Sequence, residues 1–195
     1  PSDYQMILIY LLLLVIVNSS PLRIGDIYVM FILAISLTAF LEYGLVVEVW
    51  LSQIAMLVSM LISTKRRNFY RLVLSQMMFI WVSLAAGFSF FFAGGTIGFT
   101  VPMVKGQLLP ILLYTISYFV VNNIILYLTR RIIEQRKILF FSDELLWDAT
   151  TFLFTLPLGL IMYLVKITYG TIGMLFVSLL IITVTSVSYT HLRAH

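Results

Sequence analysis

The sequence predicts an all-α integral membrane protein, a bundle of about seven transmembrane helices, and three observations carry that prediction. The first is composition. Of the 195 residues, 62% are hydrophobic and only 10% are charged, whereas about 25% of a soluble domain is charged. A soluble globule this apolar would have too little polar surface to face water. The second is the length of the charge-free runs. Residues 108–129 (LLPILLYTISYFVVNNIILYLT) give 22 positions without a charge. As a helix they would reach about 33 Å, enough for a hydrocarbon core of roughly 30 Å. The third is the placing of the basic residues, which collect in short turns between apolar runs.

In chain order, residues 4–17 (YQMILIYLLLLVIV) make a first, short span. No basic stretch precedes them and no small-residue cleavage site follows, so an anchor helix is expected rather than a signal peptide. The chain opens on Pro1 instead of Met, and a fragment of a longer protein is expected. Residues 18–26 (NSSPLRIGD) are rich in turn formers. Residues 27–64 would stretch about 57 Å as one helix, and Glu42, Tyr43 and Gly44 divide them into spans 27–41 and 45–63. Were 27–64 one long tilted helix instead, the bundle would have six spans. A basic turn, 65–71 (KRRNFYR), leads into span 72–93. The glycine-rich loop 94–107 follows, then span 108–129 and the second basic stretch, 130–141. Span 142–165 contains Pro157 and Gly159. Proline removes one helix hydrogen bond, so a kink is expected there and the pair is the candidate hinge. A turn at 166–170 and span 171–187 complete the bundle. Residues 1–187 thus read as one membrane domain. Residues 188–195 (SYTHLRAH) fit nothing before them and read as a non-native tail.

Seven spans place ten of the twelve Lys and Arg residues on one side. The topology-setting set is Lys65, Arg66, Arg67, Arg71, Arg130, Arg131, Arg136 and Lys137, joined by Arg23 and Arg193. Lys105 and Lys166 fall opposite. By the positive-inside rule the basic turns and the C-terminus are cytoplasmic. The same clustering argues against nucleic acid as a partner, despite a pI near 9.4.

Few residues inside the spans carry chemistry. Glu48 is an acid within an apolar run (LVVEVWL), and a carboxylate in lipid costs several kcal/mol unless it meets a partner, water or the bundle interior. It is a candidate ligand or proton site; the other reading is a helix end reaching water beside Trp50. Asn122 and Asn123 lie mid-span, about 100° apart on the helix, where interhelical hydrogen bonding and ligand binding both fit. Gln53 and Gln76 read as interhelical bonds. Ser83 with Gly87, and Ser89 with Ala93, have the small-residue spacing of close helix packing. Asp143 and Glu144 suit a helix N-terminus, with Asp148 deeper and able to pair with Arg130 or Arg131, and Trp147 at the interface.

No cofactor or metal is expected. There is no cysteine, and His191 and His195, spaced four apart, lack the glutamate of a zinc protease. Gly94, Gly95 and Gly98 have neither the preceding strand nor the Lys-Ser/Thr of a phosphate loop. With no Ser/His/Asp set, acid pair or Ser/Lys dyad, an enzyme is not expected.

A family likeness rests on spaced motifs between Pro21 and Gly173. They are Ile24-Gly25-Asp26, Phe69-Tyr70 after the first basic turn, Tyr118-Phe119 ahead of Asn122-Asn123, Pro157-Leu158-Gly159, Tyr163, and Tyr169-Gly170. In these the chain resembles the N-terminal membrane sensor region of bacterial cyclic-di-GMP regulators, those with GGDEF (often after GAF) or HD-GYP output. Such regions often carry a Phe-Gly-Pro turn where this sequence has Leu41-Glu42-Tyr43-Gly44. The resemblance implies a signal-reception module in the bacterial inner membrane, homodimeric, answering an unknown small-molecule or membrane stimulus. It implies an output domain outside this chain, since neither a GGDEF nor an HD motif is present. The alternative is a transporter subunit resembling the substrate-binding components of vitamin uptake, with Glu48 and Asn122 as polar lining. Those components usually carry small residues four apart on the first helix, and residues 4–17 hold no Ala or Gly.

Overall fold

The computed structural model describes residues 3–19, 22–24, 27–29, 32–62, 69–133, 135 and 143–193. Its elements are α1 (Asp3–Ser19), a hairpin of β1 (Leu22–Ile24) and β2 (Ile27–Val29), α2 (Ile32–Tyr43), α3 (Leu45–Ile62), α4 (Phe69–Phe92), α5 (Val104–Leu128) and a last helical run, Asp143–Arg193. A 3₁₀ turn, Val101–Met103, precedes α5, and a π-helical turn, Thr129–Ile133, prolongs it. The helical class predicted from composition is what the chain adopts.

The hub is α2. Every residue from Ile32 to Leu41 is buried. Its sequence, ILAISLTAFL, is apolar or small all the way round, which is the pattern of a helix with no face toward solvent. Two hydrophobic cores meet on it. Ile32, Ile35 and Ala39 pack with Tyr10, Leu14, Met162 and Met174. Leu33, Leu37, Phe40 and Leu41 pack with Phe90, Ile111, Tyr114 and Tyr163. The other helices surround α2 and turn leucines, isoleucines and aromatics outward: Trp81 is 64% exposed, Phe92 96% and Ile172 82%. An apolar exterior of this extent belongs against lipid.

The expected span 27–41 needs correction. Ile27–Val29 is a strand, antiparallel to Leu22–Ile24 with Ile24 opposite Ile27. β-branched and aromatic residues flank a two-residue Gly-Asp connector, a hairpin signature that outweighed the apolar run behind it. The described helix α2 then runs from Ile32 to Tyr43, 12 residues or about 18 Å, too short to cross a membrane alone. The expected division at Glu42–Gly44 is present, so 27–64 is not one helix. Gly44 has φ 85°, and its N–H donates to the Phe40 carbonyl at 2.8 Å.

Among the described residues, four runs are long and apolar enough to cross a membrane: Leu45–Ile62, Val73–Phe92, Val101–Ile132 and Ala149–Thr183. Seven is not the number that length gives. The last run is, however, folded. Gly170 has φ 70° and ψ −160°, a region essentially open to glycine alone. The Ser178 hydroxyl lies 3.8 Å from Met162 Sδ across it, and a Cβ on Gly173 would fall 2.7 Å from Val165 Cγ1. Asp143–Arg193 is therefore a hairpin of two helical arms, α6 (143–169) and α7 (171–193). The turn expected at 166–170 narrows to Gly170.

Pro157 and Gly159 sit within helical backbone. Gly159 is the point of closest approach to α2: a Cβ there would lie 2.9 Å from the Ala34 carbonyl oxygen, and the Thr38 hydroxyl donates to the Gly159 carbonyl at 3.0 Å.

Candidate functional site

Helix directions alternate, so the bundle has two ends of different character. At one end are Glu42, Gly44, the 94–107 loop and Gly170. This end is closed by polar contacts. Lys166 forms an ion pair with Glu42, and the Tyr10 hydroxyl donates to the same carboxylate at 2.7 Å. The Gly98 N–H donates to the Leu41 carbonyl at 2.7 Å, and the Tyr163 hydroxyl to the Phe99 carbonyl at 2.8 Å. These are the turns that the charge pattern put together on one side.

At the other end the neighbours of α2 line a half-open cavity of about 360 Å³ beside Ile32 and Leu33. The size falls within the range of small-molecule pockets. Each wall is one face of a helix, set by spacing of three or four residues. α5 supplies Tyr118, Asn122 and Leu126; α6 supplies Thr151, Phe152 and Thr155; α4 supplies Ser75, Met78 and Phe79. Met56 of α3 and Asn18 of α1 complete the lining, which holds no charged residue among the described ones. Asn18 Nδ2 is held by the Ser59 hydroxyl at 2.7 Å. The described walls suit a ligand with an apolar body and a hydrogen-bonding edge.

The candidate residues from the sequence separate. Asn122 lines the cavity. Asn123 is buried and donates to the Phe119 carbonyl of its own helix at 3.0 Å. Glu48 is neither in the cavity wall nor at a wet helix end: it is 1% exposed, while Trp50 is 65% exposed. Glu48 and Asn122 therefore do not share a lining. Around Glu48, three hydroxyls converge on Oε1: Ser36 from α2, Ser52 from α3 at 3.1 Å and Ser83 from α4 at 3.2 Å. Glu48 Oε2 is buried with no hydrogen-bond partner among the described residues.

Gln53 and Gln76 join α3 to α4 by donating to each other's backbone carbonyls, at 3.3 and 3.5 Å. Gly87 meets Leu45 of α3, and Ser117 of α5 donates to Ser89 at 2.7 Å. Arg131 engages the Tyr127 hydroxyl and ring on its own helix. Lys65, Arg66, Arg67, Arg136, Lys137 and His195 lie outside the described residues, as do the side chains of Arg71, Asp143, Glu144, Trp147, Asp148, His191 and Arg193.

Sequence reasoning missed most of the cavity. Thr151 with Thr155, and Tyr118 with Asn122, are polar pairs four apart, and that spacing on otherwise apolar helices was the available signal. Ser52 was reachable in the same way from Glu48. Ser36 and Ser83 arrive from other helices and carry no local signal. No protein-family model matches the chain, and no curated protein or solved structure matches it.

Proposed function

We propose that the chain is a membrane-embedded reception module in a bacterial inner membrane, controlling a cytoplasmic cyclic-di-GMP synthesis or hydrolysis domain. The observation that carries this reading is the cavity's place between α2 and α6. A ligand there touches Ile32 and Leu33 of α2 and Thr151, Phe152 and Thr155 of α6. α6 rests on α2 through Gly159 and Thr38 and reverses at Gly170 into α7. A ligand that favours one packing of α6 on α2 shifts the population of that packing, and α7 carries the shift toward the cytoplasm. In this reading the Asn18 end is cytoplasmic, seven helical segments traverse the bilayer with β1–β2 and α2 together making one passage, and the unit is a homodimer. Pro157 is the candidate hinge within α6.

The test uses the complete reading frame expressed in membranes. Thr155→Trp fills the cavity and is expected to change cyclic-di-GMP turnover about tenfold in either direction, the effect of biasing two packings by ~1.4 kcal/mol. Unchanged turnover removes the reading. A frame without such a domain, together with Asn122-dependent uptake of a small solute by vesicles, replaces it with the transporter alternative.

Orientation is tested separately. Alkaline phosphatase inserted in the 94–107 loop is expected to be active, and fused after Arg131 to be inactive. The opposite pattern inverts the assignment of the two ends.

A further inference from the structure

We propose that Glu48, with the hydroxyls of Ser36, Ser52 and Ser83, forms a binding site for a dehydrated monovalent cation of sodium size. The inference goes beyond the reception reading and does not depend on it, since it needs only the bundle. Its first ground is the donor set. One carboxylate and three hydroxyls from α2, α3 and α4 converge within the buried interior. They are hard oxygen ligands, which select hard cations over softer transition metals. No cluster of three His, Cys, Asp or Glu that would hold such a metal exists among the described residues. A single carboxylate balances one positive charge. A divalent ion would leave a net charge among apolar side chains, which is strongly unfavourable.

The second ground is an orphaned oxygen. Among the described residues Glu48 Oε2 is buried without a partner, although buried polar groups nearly always have one. The Glu48 hydrogen-bond partners are three neutral serines. Lys166 is engaged by Glu42 at the closed end. Serine hydroxyls accept as well as donate. Ser36, Ser52 and Ser83 can therefore turn lone pairs to a cation seated against the carboxylate.

The third ground is space beside one of these ligands. The cavity shares Asn18, Ile32, Met56 and Phe79 with a smaller void of about 10 Å³, and that void reaches Ser52. A void of this size admits about one water-sized body, so it suits a small ion better than a large one. The Ser52 hydroxyl in turn donates to Glu48 Oε1 at 3.1 Å.

The experiment uses the full chain in lipid nanodiscs, with radioactive sodium binding and thermal unfolding in NaCl, KCl or choline chloride at constant ionic strength. Expected are saturable binding of one sodium per chain and a rise in Tm of about 4 °C at ten times the Kd, relative to choline. Glu48→Gln is expected to abolish both while remaining folded in choline. Ser83→Ala, which removes one ligand oxygen, is expected to weaken binding about tenfold. Absence of saturable binding by the unaltered chain overturns the proposal, and so does full binding by Glu48→Gln. Should Glu48→Gln fail to fold, Ser83→Ala and Ser52→Ala decide: unchanged affinity in both overturns it.

Discussion

Gly159→Leu is expected to lower the resistance of the bundle to unfolding in SDS by about 3 kcal/mol or more. The reason is what the new side chain would strike. A Cβ at 159 would lie 2.9 Å from the Ala34 carbonyl oxygen and 3.1 Å from Ala34 Cα. Both are backbone atoms of α2, so no rotamer change relieves the clash. α2 cannot retreat, because its residues from Ile32 to Leu41 are buried on every side. Separation of α6 from α2 would also break the Thr38 hydroxyl bond to the Gly159 carbonyl, an interaction worth about 0.6 kcal/mol in a membrane interior. Gly159→Ala is the informative companion. It carries the same Cβ and so the same contact with the Ala34 backbone, which the gain in helix propensity of about 1 kcal/mol offsets only in part; a loss smaller than that of leucine is expected. A leucine variant as stable as the parent would mean that the α2–α6 seam is not close-packed.

The seam shows what could be read from the residues and what could not. Composition and charge-free length specify helices in lipid, because an unbroken apolar run of 22 residues satisfies its backbone there as a helix, whereas a barrel strand would alternate apolar and polar residues. Charge placement specifies which turns share an end, and Glu42, Lys166 and the 94–107 loop do meet at one end. Length then misleads at two places. The 27–41 run looked like a span because its apolar content was counted without the Gly-Asp hairpin signal at its start. Asp143–Arg193 is one run by hydrogen bonding, and only the backbone at Gly170 reveals two arms. Residues 108–129 are the charge-free run that identifies the class, but they are not the centre of the bundle. The true centre is the shorter α2, legible only from its lack of any polar face. The cavity was the least legible feature, since its walls come from six separate helices rather than from a motif.

Phe40→Ala is expected to destabilise the bundle by about 3 kcal/mol, the lower end of the range for deleting a buried phenylalanine. Phe40 is fully buried on α2. Its ring stacks on Tyr114 at 4.6 Å and meets Phe90 edge-on at 5.0 Å and Phe91 at 5.9 Å. These contacts tie α2 to α4 and α5 one turn from the Gly44 bend. In water the loss would include transfer of the ring from solvent, but in a bilayer the unfolded reference also sits in hydrocarbon, so packing and cavity terms dominate. The space left by the ring has no polar lining to draw in water, so the helices must close over it or leave it empty. SDS unfolding of the purified variant measures the loss. Phe40→Leu, which keeps part of the volume, is expected to recover roughly half of it. If alanine costs under ~1 kcal/mol, the aromatic cluster is not what holds α2 against α4 and α5, and the buried position of α2 must then rest on its other face, against α1 and α6.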